Sequence, residues 1–248
     1  MKKIIGIGLL CAAAGLCASA LRKKQQAEQK PLYLTGSVVP NPDKKAILVV
    51  SFGTSYADTR EKTIGAIEED FRRAFPDYTV RRAFTSGMII KKLRERDGIE
   101  IDTVDEALDK LYKSGYTDIF CVPTHIMCGI EYDKACRMIE KFNDKMKIRI
   151  SRPLVTETID YYSIVDIFKH RLTDKNRLYV FMGHGSDHFA NAAYSALDYH
   201  FKNADMNNVF VGTVEGFPDL ETVMSHATKT DIKNVTLLPF MLVCGDHA

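Results

Sequence analysis

The sequence contains no C-x-x-C pair, no G-x-x-x-x-G-K-[ST] or G-x-G-x-x-G loop, and no G-x-S-x-G elbow. The first absence excludes zinc-ribbon and thioredoxin-like chemistry. The second leaves nucleotide binding unsupported, and the third counts against an α/β-hydrolase. Charge of one sign is also missing. The chain carries 34 Lys+Arg against 32 Asp+Glu. Removing residues 1–20 takes away Lys2 and Lys3 and no acid, leaving 32 basic against 32 acidic residues. That balance gives no support for nucleic acid or an anionic membrane as partner. The longest apolar run, Ile4 to Cys17, is shorter than the ~20 residues a spanning helix needs.

That run has a second reading. Lys2 and Lys3 precede it and Ala18-Ser19-Ala20 follow it, the pattern of a cleaved signal peptide over residues 1–20. Gly15-Leu16 before Cys17 is a poor lipid-attachment signal. The expected location is periplasmic or otherwise extracytoplasmic. Residues 21–43 are polar, contain Pro31, Pro40 and Pro42, and read as a linker. Residues 44–248 then form the folded domain, with halves at about 44–150 and 151–248. At 46% hydrophobic and 27% charged residues, the 248-residue chain has ample material for a core. Cys121, Cys128, Cys136 and Cys244 form no dense disulfide framework and read as buried thiols.

Short β-branched runs at 46–51, 78–84, 118–123, 147–150, 178–182, 208–214 and 234–239 alternate with amphipathic stretches. The latter predict helices at about 58–75, 87–96, 103–114, 132–144, 158–171, 188–203 and 219–229. This alternation predicts an α/β fold: two similar halves, each a mainly parallel sheet flanked by helices, with a cleft between them. Ligands of such sheets bind beyond the carboxyl ends of the strands.

The loops at those ends repeat. Val49-Val50-Ser51-Phe52-Gly53-Thr54-Ser55 matches Val180-Phe181-Met182-Gly183-His184-Gly185-Ser186 at an offset of 131 residues. Phe84-Thr85-Ser86-Gly87 matches Thr213-Val214-Glu215-Gly216 at 129, and Pro123 to Gly129 matches Pro239 to Gly245 at 116. In this alignment Gly53 becomes His184, Ser86 becomes Glu215 and Glu131 becomes His247. Each change places a metal-binding side chain after a strand of the second half. Two imidazoles and a carboxylate suit cobalt, iron, nickel or zinc, and leave coordination positions open. The bland readings are a plain glycine turn around His184, a helix-terminus charge for Glu215 and a surface residue for His247. His188, four residues after His184, fits a cap or packing role better than a ligand role. His125 and Glu131 in the first half, with Ser55 and Ser186, are candidates for holding substrate. Lys91, Lys92, Arg94 and Arg96 read as a solvated helix face.

Through these loops the sequence resembles the anaerobic cobalt chelatases, the sirohydrochlorin cobaltochelatases of the class II chelatase superfamily. The matching motifs are the Ser51-Phe52-Gly53-Thr54-Ser55 loop, Pro123 to Tyr132, Met182-Gly183-His184-Gly185-Ser186, Val214-Glu215-Gly216-Phe217-Pro218 and Leu238 to Ala248. The resemblance spans about residues 44–248. It implies a bilobal chelatase fold, a tetrapyrrole substrate, and insertion of Co2+ (Fe2+ and Ni2+ being alternatives) without a nucleotide. It places the metal on His184, Glu215 and His247, with His184 as the best candidate base for the pyrrole protons. It also implies a further segment after Gly-Asp-His-Ala, so the second half reads as truncated. A homo-oligomer is compatible with the sequence but not indicated by it. The competing readings are a non-catalytic extracytoplasmic protein that binds haem, another tetrapyrrole or metal, and a phosphate-site hydrolase.

Overall fold

The computed structural model describes residues 44–243. His247, Cys244, the proposed signal and the linker lie outside them. The described chain divides into two compact units: 44–125 with 130–153, and 126–129 with 154–243.

In the first unit, β1 (Lys45–Ser51), β2 (Thr79–Phe84), β3 (Asp118–Pro123) and β4 (Lys147–Ile150) form a wholly parallel sheet in the order β2-β1-β3-β4. β1 is central and is buried from Ala46 to Ser51, which explains its unbroken apolar sequence. Its crossovers begin with α1 (Ala57–Arg60), a π-helical turn at Glu61–Gly65, and α2 (Ala66–Ala74). Next come α3 (Gly87–Asp97), α4 (Val104–Lys113) and α5 (Ile130–Glu140). Sequence chemistry sets the helix ends. Thr103 and Glu106 form a reciprocal capping box on α4, and Gly98 ends α3 in the left-handed conformation at φ 64°. Leu48, Phe84, Leu93, Leu108 and Ile119 fill the core. The Cys121 thiol is fully buried, and that burial pushes its pKa up, as an inert core thiol requires.

The second unit holds α6 (Thr158–Lys169), β5 (Arg177–Gly183), a 3-10 turn at Phe189–Asn191, α7 (Ala192–Asn203), β6 (Val209–Thr213), α8 (Leu220–Ala227) and β7 (Asn234–Pro239). Its sheet is again parallel, in the order β6-β5-β7. Phe181 of β5 stacks on Phe201 of α7 at 5.3 Å, and Phe168 of α6 meets Phe181 edge-on at 4.7 Å. His200 stacks on Tyr161 at 4.9 Å, the packing role expected of a histidine in a helical pattern.

The two sheets share one hydrogen-bonding plan, and it corrects the sequence alignment of the halves. Ser51 pairs with Phe84 as Gly183 pairs with Thr213, and Val50 pairs with Pro123 as Met182 pairs with Pro239. Beyond the strands, Ser86 N–H donates to Phe52 O as Glu215 N–H donates to His184 O. The β1 loop therefore matches the β5 loop at an offset of 132, one more than side-chain similarity suggests. Phe52, not Gly53, is the counterpart of His184. Gly53 matches Gly185, and both have positive φ, 101° and 85°.

One ion pair ties α2 to β2. The Glu68 side chain is 5% exposed and accepts from Arg82 Nε at 2.6 Å and Nη2 at 2.8 Å. Glu68→Ala leaves the partly buried guanidinium without its bidentate partner and should lower unfolding free energy by about 2 kcal/mol. Urea titration of the two proteins measures the difference; an unchanged midpoint would show that solvent replaces the carboxylate without loss.

Candidate metal-binding site

His184 and Glu215 come together at the carboxyl edge of the second sheet. His184 follows the last residue of β5, and Glu215 stands two residues beyond β6. Their backbones are joined directly: Val214 N–H donates to Gly183 O at 3.0 Å, and Glu215 N–H to His184 O at 2.7 Å. The side chains meet with His184 Nδ1 3.7 Å from Glu215 Oε2, and they are 49% and 58% exposed. An imidazole and a carboxylate at this spacing, open to solvent, have the donor chemistry that two arms of a divalent-metal site need. The third expected arm, His247, lies outside the described residues. Among the described residues no group of three or more His, Cys, Asp or Glu side chains is gathered for a metal ion.

Glycines allow the two loops to touch. A Cβ on Gly185 would come within 2.6 Å of Gly216 N, and Gly185 also holds φ 85°. Gly183 has no room for a side chain because the Tyr194 ring lies over it. Tyr194, on α7, reaches back to the loop and takes the Gly185 N–H on its hydroxyl at 3.5 Å. Burial raises its pKa, against the opposing effect of the Gly185 and His184 backbone amides. Tyr194 was missed by sequence reasoning, because an aromatic in an amphipathic helix carries no mark of which loop it supports.

The remaining candidates separate. Ser186 Oγ accepts the His188 N–H at 3.0 Å, and His188 Nδ1 accepts the Ala190 N–H at 3.2 Å. Both therefore shape the turn, and His188 acts as the cap that its position suggested. Ser55 is buried in the first unit, and its carbonyl accepts from the Arg96 guanidinium. Arg96 also pairs with Asp97, Arg94 with Glu100 and Lys91 with Glu95, as a solvated helix face would. Glu131 opens α5 one turn from Lys134, with Oε2 and Nζ 3.7 Å apart.

His125 is the unusual member. Both its ring nitrogens are shielded from solvent and have no hydrogen-bond partner among the described residues. Burial pulls its pKa down to about 4, and the neighbouring Glu131 charge only partly opposes this. The ring is neutral at pH 7. Its unfolded-state pKa is about 6.5, so between these values the native state binds fewer protons than the unfolded chain. The resulting stability is complete above about pH 6.5 and is lost as pH falls toward about 4. Denaturant titrations across this interval should therefore show a steeper loss for the wild type than for His125→Asn. Parallel curves would mean that the ring is solvated in the native state.

Comparison with known proteins gives the family. The family model for cobalt chelatase (CbiK) matches residues 45–248. The chain is 43% identical over 208 residues to sirohydrochlorin cobaltochelatase of Salmonella typhimurium, covering 83% of this chain and 78% of that protein. It is 29% identical over 211 residues to sirohydrochlorin cobaltochelatase CbiKC of Nitratidesulfovibrio vulgaris, covering 83% and 74%. The fold is similar to SirB from Bacillus subtilis with Fe3+, at TM-score 0.57 and 18% identity, covering 82% of this chain and 78% of that one. It is also similar to the sirohydrochlorin chelatase SirB from Bacillus subtilis subspecies spizizenii in complex with cobalt, at TM-score 0.55 and 19% identity over 82% and 76% of the chains. With its sequence matched from β1 onward and a fold shared with chelatases, the chain belongs to the cobalt chelatase (CbiK) family.

Proposed function

We propose that this protein is a chelatase that inserts Co2+ into a sirohydrochlorin-type tetrapyrrole, with His184, Glu215 and His247 holding the incoming ion. The observation that carries the reading is the His184–Glu215 pair, 3.7 Å apart on adjoining strand-end loops, in a chain 43% identical to a sirohydrochlorin cobaltochelatase.

Insertion exchanges one divalent cation for two pyrrole protons, so the site must surrender an ion and accept protons. Half-exposed ligands suit the first task, because attraction to an ion is weaker beside water than in a dry, low-dielectric pocket. They suit the second as well. As the metal passes to the macrocycle nitrogens, His184 and Glu215 recover the lone pairs that had bound it and become proton acceptors. The positions left open by a His/His/Glu set are where the macrocycle nitrogens would enter. Ser186 supports the metal loop rather than binding substrate in this reading, and His125, whose ring nitrogens are shielded from solvent, offers the substrate no ring nitrogen.

Anaerobic Co2+ insertion into sirohydrochlorin, followed by the macrocycle absorbance, tests this. The wild type should turn over, and both His184→Ala and Glu215→Gln should lower kcat by about 100-fold or more. A stoichiometric wild-type complex without turnover would instead identify a tetrapyrrole carrier. We further propose that residues 1–20 direct export, from the Lys2-Lys3, apolar run and Ala18-Ser19-Ala20 pattern. The chain recovered from the extracytoplasmic fraction should begin at Leu21; an intact Met1 in the cytoplasmic fraction would overturn this.

A further inference from the structure

We infer that Asn191 is a positioning residue for the metal site, a two-armed amide clamp that fixes the spacing of the His184 and Glu215 loops. This rests on the assignment of that pair to the substrate metal. Asn191 ends the 3-10 turn ahead of α7. Its Oδ1 accepts the Ser186 N–H at 3.0 Å, two residues after His184. Its Nδ2 donates to Phe217 O at 2.7 Å, two residues after Glu215. One side chain thus uses its acceptor on one ligand loop and its donor on the other. No hydroxyl, carboxylate or ammonium of similar size offers an acceptor and a donor in that fixed opposed geometry.

The surrounding backbone is shaped to admit the clamp. A Cβ on Gly216 would lie 2.5 Å from Asn191 Oδ1 and 3.0 Å from Ser186 N. The counterpart of Gly216 in the first unit is Gly87, where an added Cβ would meet nothing within 4 Å. The crowding therefore belongs to the ligand-bearing unit and is not a general property of the repeated loop. Val214 and Glu215 already join the Gly183-His184 backbone, and the two Asn191 bonds, placed beyond each ligand, extend that tie along both loops.

The geometry predicts an effect on metal rather than on macrocycle. Asn191→Ala and the near-isosteric Asn191→Leu should each weaken Co2+ binding by about 10-fold or more, the usual range for outer-shell partners of metal ligands. The d–d absorption of bound Co2+ should change, KM for Co2+ should rise and KM for the tetrapyrrole should stay unchanged. Exchange of the Ser186 amide hydrogen should accelerate in both variants. Asn191→Leu keeps the side-chain volume, so the test survives if the alanine variant fails to fold. His184→Ala serves as the reference. If it loses Co2+ while both Asn191 variants keep wild-type affinity and spectrum, the clamp is overturned and the metal site stands. If His184→Ala binds Co2+ like the wild type, the metal assignment and the clamp fall together.

Discussion

The close approach of two backbone loops, permitted by Gly185 and Gly216, is the constraint on which the site depends. A histidine and a glutamate that are half exposed cannot be held by packing, since few atoms surround them. Their positions are set from below, by the Glu215 N–H bond to His184 O at 2.7 Å and by strands that end at defined register. Any side chain at Gly185 would strike Gly216 N, so the imidazole and carboxylate would be pushed apart. Precision is obtained here from main chain, leaving the side chains accessible to a large flat substrate.

That arrangement resolves two opposing demands. A site that delivers an ion must bind it, yet a closed shell of ligands in a dry pocket would retain it, as structural zinc sites do. Here no charge is buried at the ligand pair, and the rigid element is the loop beneath. The contrast with Glu68 and Arg82 is instructive. There a carboxylate 5% exposed meets a guanidinium bidentately and serves only to dock a helix on a strand. The same functional group acts structurally where it is sealed and is available to ligand where it is not.

The order of strands and helices was legible in the sequence, because buried parallel strands require apolar β-branched runs such as Ala46-Ile47-Leu48-Val49-Val50 and their crossovers require amphipathic helices. The candidate pair His184 and Glu215 was legible too, from the contrast between two repeated loops. The register of that contrast was not. The identities of Val49 with Val180 and of Ser55 with Ser186 favour an offset of 131, whereas backbone hydrogen bonding gives 132. Side-chain likeness is a weak guide in loops of small residues, and what the two loops share is a positive-φ glycine at Gly53 and Gly185. Tyr194 and Asn191 were invisible for a related reason. Their roles depend on which loops lie beside them, and helical periodicity carries no information about that.

With the register corrected, the counterparts of the ligand pair are Phe52 and Ser86, and the difference at Ser86 explains how a carboxylate became available. Ser86 is the residue before α3, and its Oγ accepts the Ile89 N–H as that helix's cap. In the second unit Gly216-Phe217-Pro218 intervene, and α8 starts only after Asp219. Asp219 takes over the capping duty, accepting the Thr222 N–H at 2.7 Å, and hydrogen bonds from the Thr222 side chain and then its backbone hold the carboxyl below the usual carboxylate range. Glu215 is thereby relieved of the helix-terminus role that its position first suggested. The added loop residues also carry the carbonyl of Phe217 out to Asn191, so one local lengthening both releases the ligand and supplies the point at which its loop is held. In the first unit, where the helix follows at once, the equivalent residue is committed to the backbone and the aromatic Phe52, 40% exposed, stands where the imidazole would be. Loop length and one change of cap thus distinguish the loops that carry the proposed ligand pair from their counterparts in the first unit.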